Sequence, residues 1–471
     1  MGLEVLVLNP PAVAGVPYLR EECCTGDAGP KPSLPAQLVQ VQSFLQSKGM
    51  DSTLIDMQGM GLGYNNYKPE GFDVVISSAS VFGSLYHDIE SLRIAKRTGA
   101  VTALILNDPF EGVEKEVMGD CDFIDYIVRL YEREQTAYQL VRYLERKESV
   151  PPSGVIARHE SQILDMGKSQ CLRDARHLGD SSALLQALPL KNYGWKCTVS
   201  GKGCPSRCTF CLYRSTPHRS RRPEDVVKEV EVLSTEPDCI GLLDLEMLVD
   251  KTFARRFADE LISRRVRASW HTDARVNNCT RDMLMRLRRS GLSYLTLGIE
   301  SASPAILENI RKDITLESVE RAVSNCEESG IVPVACFMFG FPWDTHQTGN
   351  QIVGLVKKLR LERAAVSIVR PLAGTPLYDQ FKTLGLIGDL GTSQYVSNEH
   401  KPMAPTLHLP KEEVGRTAAR LNLAIEDYAF ERRIRRKFLD VLVHSPYELP
   451  TKAVNLLRYH LKRREAIKQF A

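Results

Sequence analysis

The stretch Gly203-Cys204-Pro205-Ser206-Arg207-Cys208-Thr209-Phe210-Cys211 places three cysteines in CxxxCxxC spacing on one short loop. Three thiolates this close together hold three irons of a 4Fe-4S cluster and leave the fourth iron open, whereas a closed zinc site asks for a fourth protein ligand at matching spacing. No such partner pair follows. His218 is the nearby nitrogen, and it sits beside the basic run Arg219-Ser220-Arg221-Arg222, which opposes metal binding. The loop reads as an iron-sulfur loop, with a zinc loop or three buried thiols as the plainer alternatives. The chain around it must present three thiols at one place.

The flanking sequence shows how. Residues 196–199 form a strand that runs directly into the loop, and Pro223 opens a helix beyond it, where a missing N–H costs least and Glu224 and Asp225 suit the helix dipole. The strand-helix unit then recurs, with further strands at 240–243, 268–272, 294–298, 332–339 and 365–369 and helices near 252–264, 280–290, 316–329 and 349–359. Six parallel strands make a partial (β/α)6 TIM-type barrel whose chemistry gathers at the carboxyl ends.

Upstream, strands at 4–8, 53–57, 73–78, 101–106 and 123–129 alternate with helices at 36–47, 85–97, 111–118 and 134–146. That order gives a doubly wound parallel sheet, so the fold class is α/β. Ligands of such sheets sit beyond the carboxyl ends of the strands, which nominates Asn9, Ser78, Ser80, Asn107 and Asp108. Pro151-Pro152-Ser153-Gly154 marks a boundary by composition. The expected layout is a first domain over 1–150, a linker over 151–190, the barrel over 191–384 and a helical region over 385–471, with helices at 411–432, 434–443 and 451–469.

Composition excludes several classes. With 61 basic against 58 acidic residues among 471, the net charge of +3 makes no bulk case for nucleic acid. No apolar run reaches bilayer length and the first residues read as a strand rather than a signal peptide. Twelve unevenly spaced cysteines without a secretory signal point to a reducing compartment, the cytoplasm by default.

The cysteine spacing, with Phe210 just before the last cysteine, closely resembles the signature of the radical S-adenosylmethionine (SAM) superfamily. Further motifs fall at the ends of the expected strands: Asp244 and Glu246 after the second, Arg275 after the third, and Gly298-Ile299-Glu300-Ser301 ending the fourth. Gly340-Phe341-Pro342 closes the fifth, and Ala373-Gly374-Thr375-Pro376-Leu377-Tyr378 follows the sixth. The resemblance implies that Cys204, Cys208 and Cys211 hold a 4Fe-4S cluster whose open iron chelates SAM. It also implies that Phe210, Asp244, Glu246, Arg275, Glu300, Ser301 and Gly340 surround SAM, and that an external flavodoxin- or ferredoxin-type donor supplies the electron. Cleavage of SAM to a 5′-deoxyadenosyl radical is the implied chemistry. Taken singly, an Asp after a strand is a helix cap and a Gly-Phe-Pro is a turn; the order of all six is what carries the resemblance.

The first domain looks like the cobalamin-binding domain that precedes the barrel in one large branch of that superfamily. On that resemblance Asn9, Ser78, Ser80, Asn107 and Asp108 meet cobalamin, and the activity is C-methylation of an unactivated carbon. Two departures stand out: Asn107-Asp108 replaces the Gly-Gly turn expected after the fourth strand, and no DxHxxG motif occurs, since His87 lacks its Asp. The alternatives are a domain retained for substrate binding or assembly, and a radical SAM enzyme that cyclises, joins carbons or rearranges without methyl transfer. Methylthio transfer fits less well, because Cys23, Cys24 and Cys121 do not form the extra cluster site of those enzymes. Substrates of the superfamily branch include small molecules, peptides and lipids. The basic runs at 432–437 and 461–464 read as solvated helix faces, or as contacts with an acidic substrate or an anionic membrane surface. Cys197 and Cys336 read as core, Cys23, Cys24, Gly26, Gly29, Pro30 and Pro32 as a loop, and Trp270 and His271 as lying near the end of the third barrel strand.

Overall fold

The computed structural model describes residues 2–21, 24–27, 31–107, 110–160, 162–169, 172, 175–397, 401–444, 458, 460–462 and 464–465. Asp108, Cys23, Gly29, Pro30 and most of the expected 451–469 helix lie outside the described residues.

The first sheet follows from short apolar runs such as Val5–Asn9 and Val74–Ser80, which are buried along their whole length. Buried on both faces, they need no polar alternation. Their side chains divide between two cores: Leu6, Leu8, Val75, Leu104 and Leu106 face one helix layer, and Val5, Val7, Val74, Ile76 and Ile105 face the other. The strand order is Ser52–Asp56, Val5–Asn9, Val74–Ser80, Val101–Asn107, Tyr126–Val128, Val155–His159 and Gln162–Asp165. The first five strands are parallel, as expected, and the last two are antiparallel. The sheet therefore runs past residue 150, and the stretch read as a linker supplies two of its strands. The turn residues at 151–154 hid them: they connect Arg133–Arg146 to a hairpin within the same sheet rather than ending the domain. Gln162–Asp165, the edge strand, is four residues long and mostly exposed, and a short edge offers little for another chain to pair with.

The second sheet has six parallel strands in chain order: Lys196–Val199, Ile240–Leu243, Trp270–Ala274, Leu292–Glu300, Val332–Phe339 and Ala364–Ile368. Between them lie Pro223–Leu233, Lys251–Ser263, Arg281–Arg289, Leu316–Glu328 and His346–Lys358, all with an apolar face in one core. The third strand begins two residues later than the expected 268–272, so Trp270 opens it instead of lying near its end. Trp270 faces outward, fully buried edge-on against Phe257, with its indole N–H donated to the Ser290 carbonyl at 3.0 Å.

One helix, Lys411–His444, replaces the two expected at 411–432 and 434–443. It covers the free edge of the sixth strand. The Asn422 side chain accepts from Val366 N–H (2.9 Å) and donates to Val366 C=O (2.8 Å), satisfying backbone groups that the open barrel leaves unpaired. No described helix is long and apolar enough to cross a membrane.

Candidate active site

The cysteine loop is closed at its base by a two-stranded ribbon, Gly201–Lys202 against Arg219–Ser220. Inside it Cys204 N–H donates to Thr216 Oγ1 (2.8 Å) and Thr216 N–H to Cys204 C=O (3.0 Å), while Ser215 N–H reaches Ser206 C=O (2.8 Å). Gly203 has φ +82°, and a Cβ there would lie 2.2 Å from the Pro217 carbonyl, so only glycine lets the two limbs approach. Thr209 fixes the far end: its N–H donates to Ile310 C=O (2.9 Å) and its C=O accepts from Leu377 N–H (3.0 Å). The turn containing Thr375-Pro376-Leu377 thus holds the loop from the sixth strand.

Cys208 is buried and Cys204 and Cys211 are partly buried. Burial, with the two other thiols beside it, pushes the Cys211 thiol up to about 12, against the opposing pull of Lys312. Arg275 Nη1 donates to Cys208 Sγ at 3.2 Å, and its Nη2 donates to the Lys312 carbonyl. Two cations therefore stand next to three thiols, a donor set suited to an anionic cluster. No three His, Cys, Asp or Glu side chains among the described residues are placed to hold a single metal ion. Ligands of a polynuclear cluster bind different irons and need not converge on one point.

The residues nominated after the barrel strands ring this loop. Asp244, buried, accepts from Ser200 Oγ (3.1 Å) and Glu246 N–H (2.9 Å) and pairs with His218 Nε2 (2.9 Å). Burial works against a charged His218, but the Asp244 carboxylate outweighs it and raises the imidazole's affinity for its proton. Glu246 is spoken for by the third strand: it accepts from Arg275 N–H (2.7 Å) and Asn278 Nδ2 (3.0 Å), and burial raises its pKa. It positions Arg275. Glu300 lies at a bulge in the fourth strand with φ +70°, and Lys312 Nζ is 2.7 Å from its Oε1. Gly298 makes room for that pair, since a Cβ there would come within 2.9 Å of both.

Ser301 accepts from Ser303 N–H (3.2 Å) and Phe210 packs 6.2 Å from Phe341. Gly340, with φ +110°, donates its N–H to Asp344 (2.8 Å), and a Cβ would meet Val414 of the C-terminal helix at 3.0 Å. Four participants escaped the sequence reading: His218, Lys312, Ser200 and Asp273. Asp273 lies on the third strand facing Thr296, with Asp244 and Glu300 on either side; burial lifts its carboxyl to about 6. Asp273 alone had a signal, an acidic residue inside the strand Trp270–Ala274. The other three act across loops far apart in sequence.

On the first sheet, Asn9, Ser78, Ser80 and Asn107 do fall at the carboxyl ends of neighbouring strands. Asn9 Nδ2 donates to Asp56 Oδ1 (2.8 Å), Asn107 Oδ1 accepts from Arg133 Nη1 (3.1 Å), and Ser80 Oγ contacts Phe82 C=O (3.3 Å). Ser78 Oγ is buried and has no hydrogen-bond partner. This edge faces the cysteine loop, because Tyr131 beyond it donates its hydroxyl to Leu212 C=O at 2.8 Å. His87, which lacks the expected motif, pairs with the adjacent Asp88 (3.4 Å). Cys197 is core, its thiol on the Leu34 carbonyl, whereas Cys336 and His271 lie on the partly accessible inner face of the barrel.

Comparison with known proteins agrees with this geometry. The family model described as the Radical SAM superfamily matches residues 198–356. Along 97% of this chain and 99% of its own length, a protein of Pyrococcus horikoshii called "Uncharacterized methyltransferase PH0819" is 24% identical. The anaerobic magnesium-protoporphyrin IX monomethyl ester cyclase of Rubrivivax gelatinosus is 30% identical over 50% of this chain and 44% of its own. Among solved structures, the cobalamin-dependent SAM radical enzyme OxsB, with aqua-cobalamin and SAM bound, superposes with a TM-score of 0.70 at 15% identity, covering 99% of this chain and 72% of that one. The methyltransferase TsrM from Kitasatospora setae, with cobalamin and a [4Fe-4S] cluster, gives 0.65 at 17% identity over 82% and 78%.

Proposed function

We propose that this chain, an enzyme of the radical SAM superfamily, is a cobalamin-dependent C-methyltransferase acting on an unactivated carbon. The observation that carries the reading is the placement of Cys204, Cys208 and Cys211 at the mouth of a six-stranded parallel sheet, with Arg275 at 3.2 Å from Cys208, opposite the ligand edge of a second α/β domain. When bound, a 4Fe-4S cluster supplies the electron that splits a carbon–sulfur bond of SAM, and a corrinoid supplies a transferable methyl group. The relatives named as a methyltransferase and as cobalamin-binding enzymes support both.

The chain's own residues do the rest. Cys204, Cys208 and Cys211 would hold the cluster. Arg275 and Lys312 offset the negative charge of the thiolates, and Glu246 fixes Arg275 through its backbone. Asp244, held by Ser200 and His218, is the acceptor for the ammonium of SAM, a charge-assisted hydrogen bond. Glu300 and Ser301 stand where ribose hydroxyls are read, with Phe210 and Gly340 completing the wall. On the facing domain Ser78, whose buried hydroxyl is unpaired, joins Asn9, Ser80 and Asn107 against the corrinoid. An external flavodoxin- or ferredoxin-type protein donates the electron.

A second reading, a cyclase or rearrangement enzyme without methyl transfer, is favoured by the 30% identity to the protoporphyrin ester cyclase. One anaerobic experiment separates the two. The chain is loaded with iron, sulfide and hydroxocobalamin and given SAM, reductant and candidate substrates; S-adenosylhomocysteine and 5′-deoxyadenosine are then quantified. Both products, with a corrinoid spectrum that survives desalting, support methyl transfer. 5′-Deoxyadenosine alone points to the second reading. Replacing Cys204, Cys208 or Cys211 by Ala is expected to abolish both products, and SAM cleavage that persists would remove the central claim.

A further inference from the structure

The register of the barrel sheet puts Gly241, His271 and Tyr294 side by side on its inner face, with Asp273, Thr296 and Val334 one level higher. Above those come Gly298, Cys336 and Ala365. Outward-facing neighbours such as Trp270, Leu295 and Phe337 are fully buried under the helices. The inner positions differ: His271, Tyr294, Thr296, Cys336 and Met338 are only partly buried, and Ala365 and Ser367 are exposed. A barrel whose interior is filled with side chains covers these positions completely. The interior here is an open chamber.

Its lower layer is planar. The Trp195 indole lies flat on the backbone of Gly241, where a Cβ would come within 2.8 Å of the ring, so a glycine in the second strand is what admits it. His271 stacks on Trp195 with centroids 6.0 Å apart and planes inclined by 22°. Cys239 Sγ lies 3.5 Å from His271 Nδ1, and burial disfavours the charged imidazole. Next along the layer, Arg363 lies 4.6 Å above the Tyr294 ring. Over this band the inner wall carries mostly small residues, Thr296, Gly298, Cys336, Ala365 and Ser367, with Asp273, Val334 and Met338 among them.

We infer that the substrate carries a planar, π-conjugated ring that lies on the Trp195–His271 band, with the rest of the molecule extending up the small-residue wall toward the cysteine loop. The inference rests on the function proposed above and adds the substrate class. Aromatic faces reward a second π-system beyond the area it buries, and a saturated ring of equal size receives only the area.

The test uses the full chain loaded with iron and sulfide, and two probes of matched size and charge, naphthalene-2-carboxylate and decahydronaphthalene-2-carboxylate. Equilibrium dialysis is expected to show saturable binding of the planar probe about tenfold tighter than the saturated one. Trp195→Leu is expected to bring that ratio close to one, and Trp195→Phe to retain most of it, which separates a lost stacking face from a damaged fold. Equal binding of the two probes, an unchanged ratio in Trp195→Leu, or no saturable binding of the planar probe would each overturn the inference. The same preparations are assayed for 5′-deoxyadenosine. Material that cleaves SAM but does not distinguish the probes sinks the ring assignment alone, and material that prefers the planar probe without cleaving SAM sinks the enzymatic reading alone.

Discussion

At the scale of single residues, the proposed cluster ligands stand out because three cysteines fall within eight positions of one loop, and their spacing carries the chemistry locally. Arg275 and Glu300 were legible through their places at strand ends. Lys312 and His218 were not, since each earns its role from a carboxylate on a different segment: Glu300 for the first, at 2.7 Å, and Asp244 for the second, at 2.9 Å. Arg275 makes contacts a lysine cannot copy, one guanidinium nitrogen on Cys208 and another on the Lys312 carbonyl. Arg275→Lys is therefore expected to take up iron normally and to cleave SAM about tenfold more slowly or worse, the loss of one charge-assisted hydrogen bond. Iron content and 5′-deoxyadenosine yield check the two halves separately.

Asp273 offers a prediction with a definite sign. In the folded chain its carboxyl keeps its proton up to about pH 6, mainly through burial, against an ordinary value of 3.8. Between those values the folded state binds more protons than the unfolded one, so stability falls as pH rises and stays lowered above 6. Asp273→Asn removes that loss, which amounts to roughly 2–3 kcal/mol. The variant is expected to melt higher than the parent at pH 8 and at the same temperature near pH 4; a gain of equal size at both pH values would mean that the carboxyl is not responsible.

At the scale of elements, the eleven expected strands all occur within three residues of their places, because apolar runs of four to eight residues bounded by turns are strong local signals. The pair Val155–His159 and Gln162–Asp165 was missed because the Pro151-Pro152-Ser153-Gly154 turn reads as a boundary and the outer strand is only four residues long, so membership in the sheet depends on pairing with Tyr126–Val128 rather than on its own pattern. Equally hidden was the joint between domains. Glu132, Arg133 and Glu134, consecutive and buried, open the helix after the fifth strand and reach across the boundary. Glu132 pairs with Arg219 and Glu134 with Lys202, one on each limb of the ribbon that carries the cysteine loop, while Arg133 turns back to Asn107 and Gln37. Three charges in a row look like a solvated surface in sequence, and only the tertiary contacts show that each has a buried partner. Lys202→Met leaves Glu134 buried without its partner and is expected to cost about 3 kcal/mol or more. Adding Glu134→Leu should restore most of that loss, since a buried ion pair replaced as a unit by apolar groups is close to neutral. Thermal unfolding of the single and double variants decides this, and a double variant no more stable than the single one would mean that the pair does more than balance charge.

At the scale of the whole molecule, the domains share polar contacts at several places along their boundary, some of them buried. Besides the ribbon pairs, Tyr193 donates its hydroxyl to the buried Asp56 at 2.6 Å, Glu116 accepts from Thr392 N–H at 2.6 Å, and Glu111 N–H donates to Ala373 C=O at 3.0 Å. Separating the domains would strand several of these groups at once, each at the cost of an unsatisfied buried charge or hydrogen bond. The two α/β units are therefore expected to unfold together, although each has its own core. Cobalamin binding tests that coupling. A ligand that binds only the folded chain stabilises it by mass action, about 2.7 kcal/mol at a hundredfold excess over Kd. Because the boundary ties the ligand edge of the first sheet to the cysteine loop, hydroxocobalamin should move a single calorimetric transition upward as a whole, relative to the chain without it. The expected mark of coupling is protection from hydrogen exchange that rises in Lys196–Val199 and Ile240–Leu243 as well as in Val5–Asn9 and Val74–Ser80. Two separate transitions, with only the lower one shifted and protection confined to the first sheet, would show that the barrel senses nothing of the corrinoid and that the buried ion pairs do not join the domains energetically.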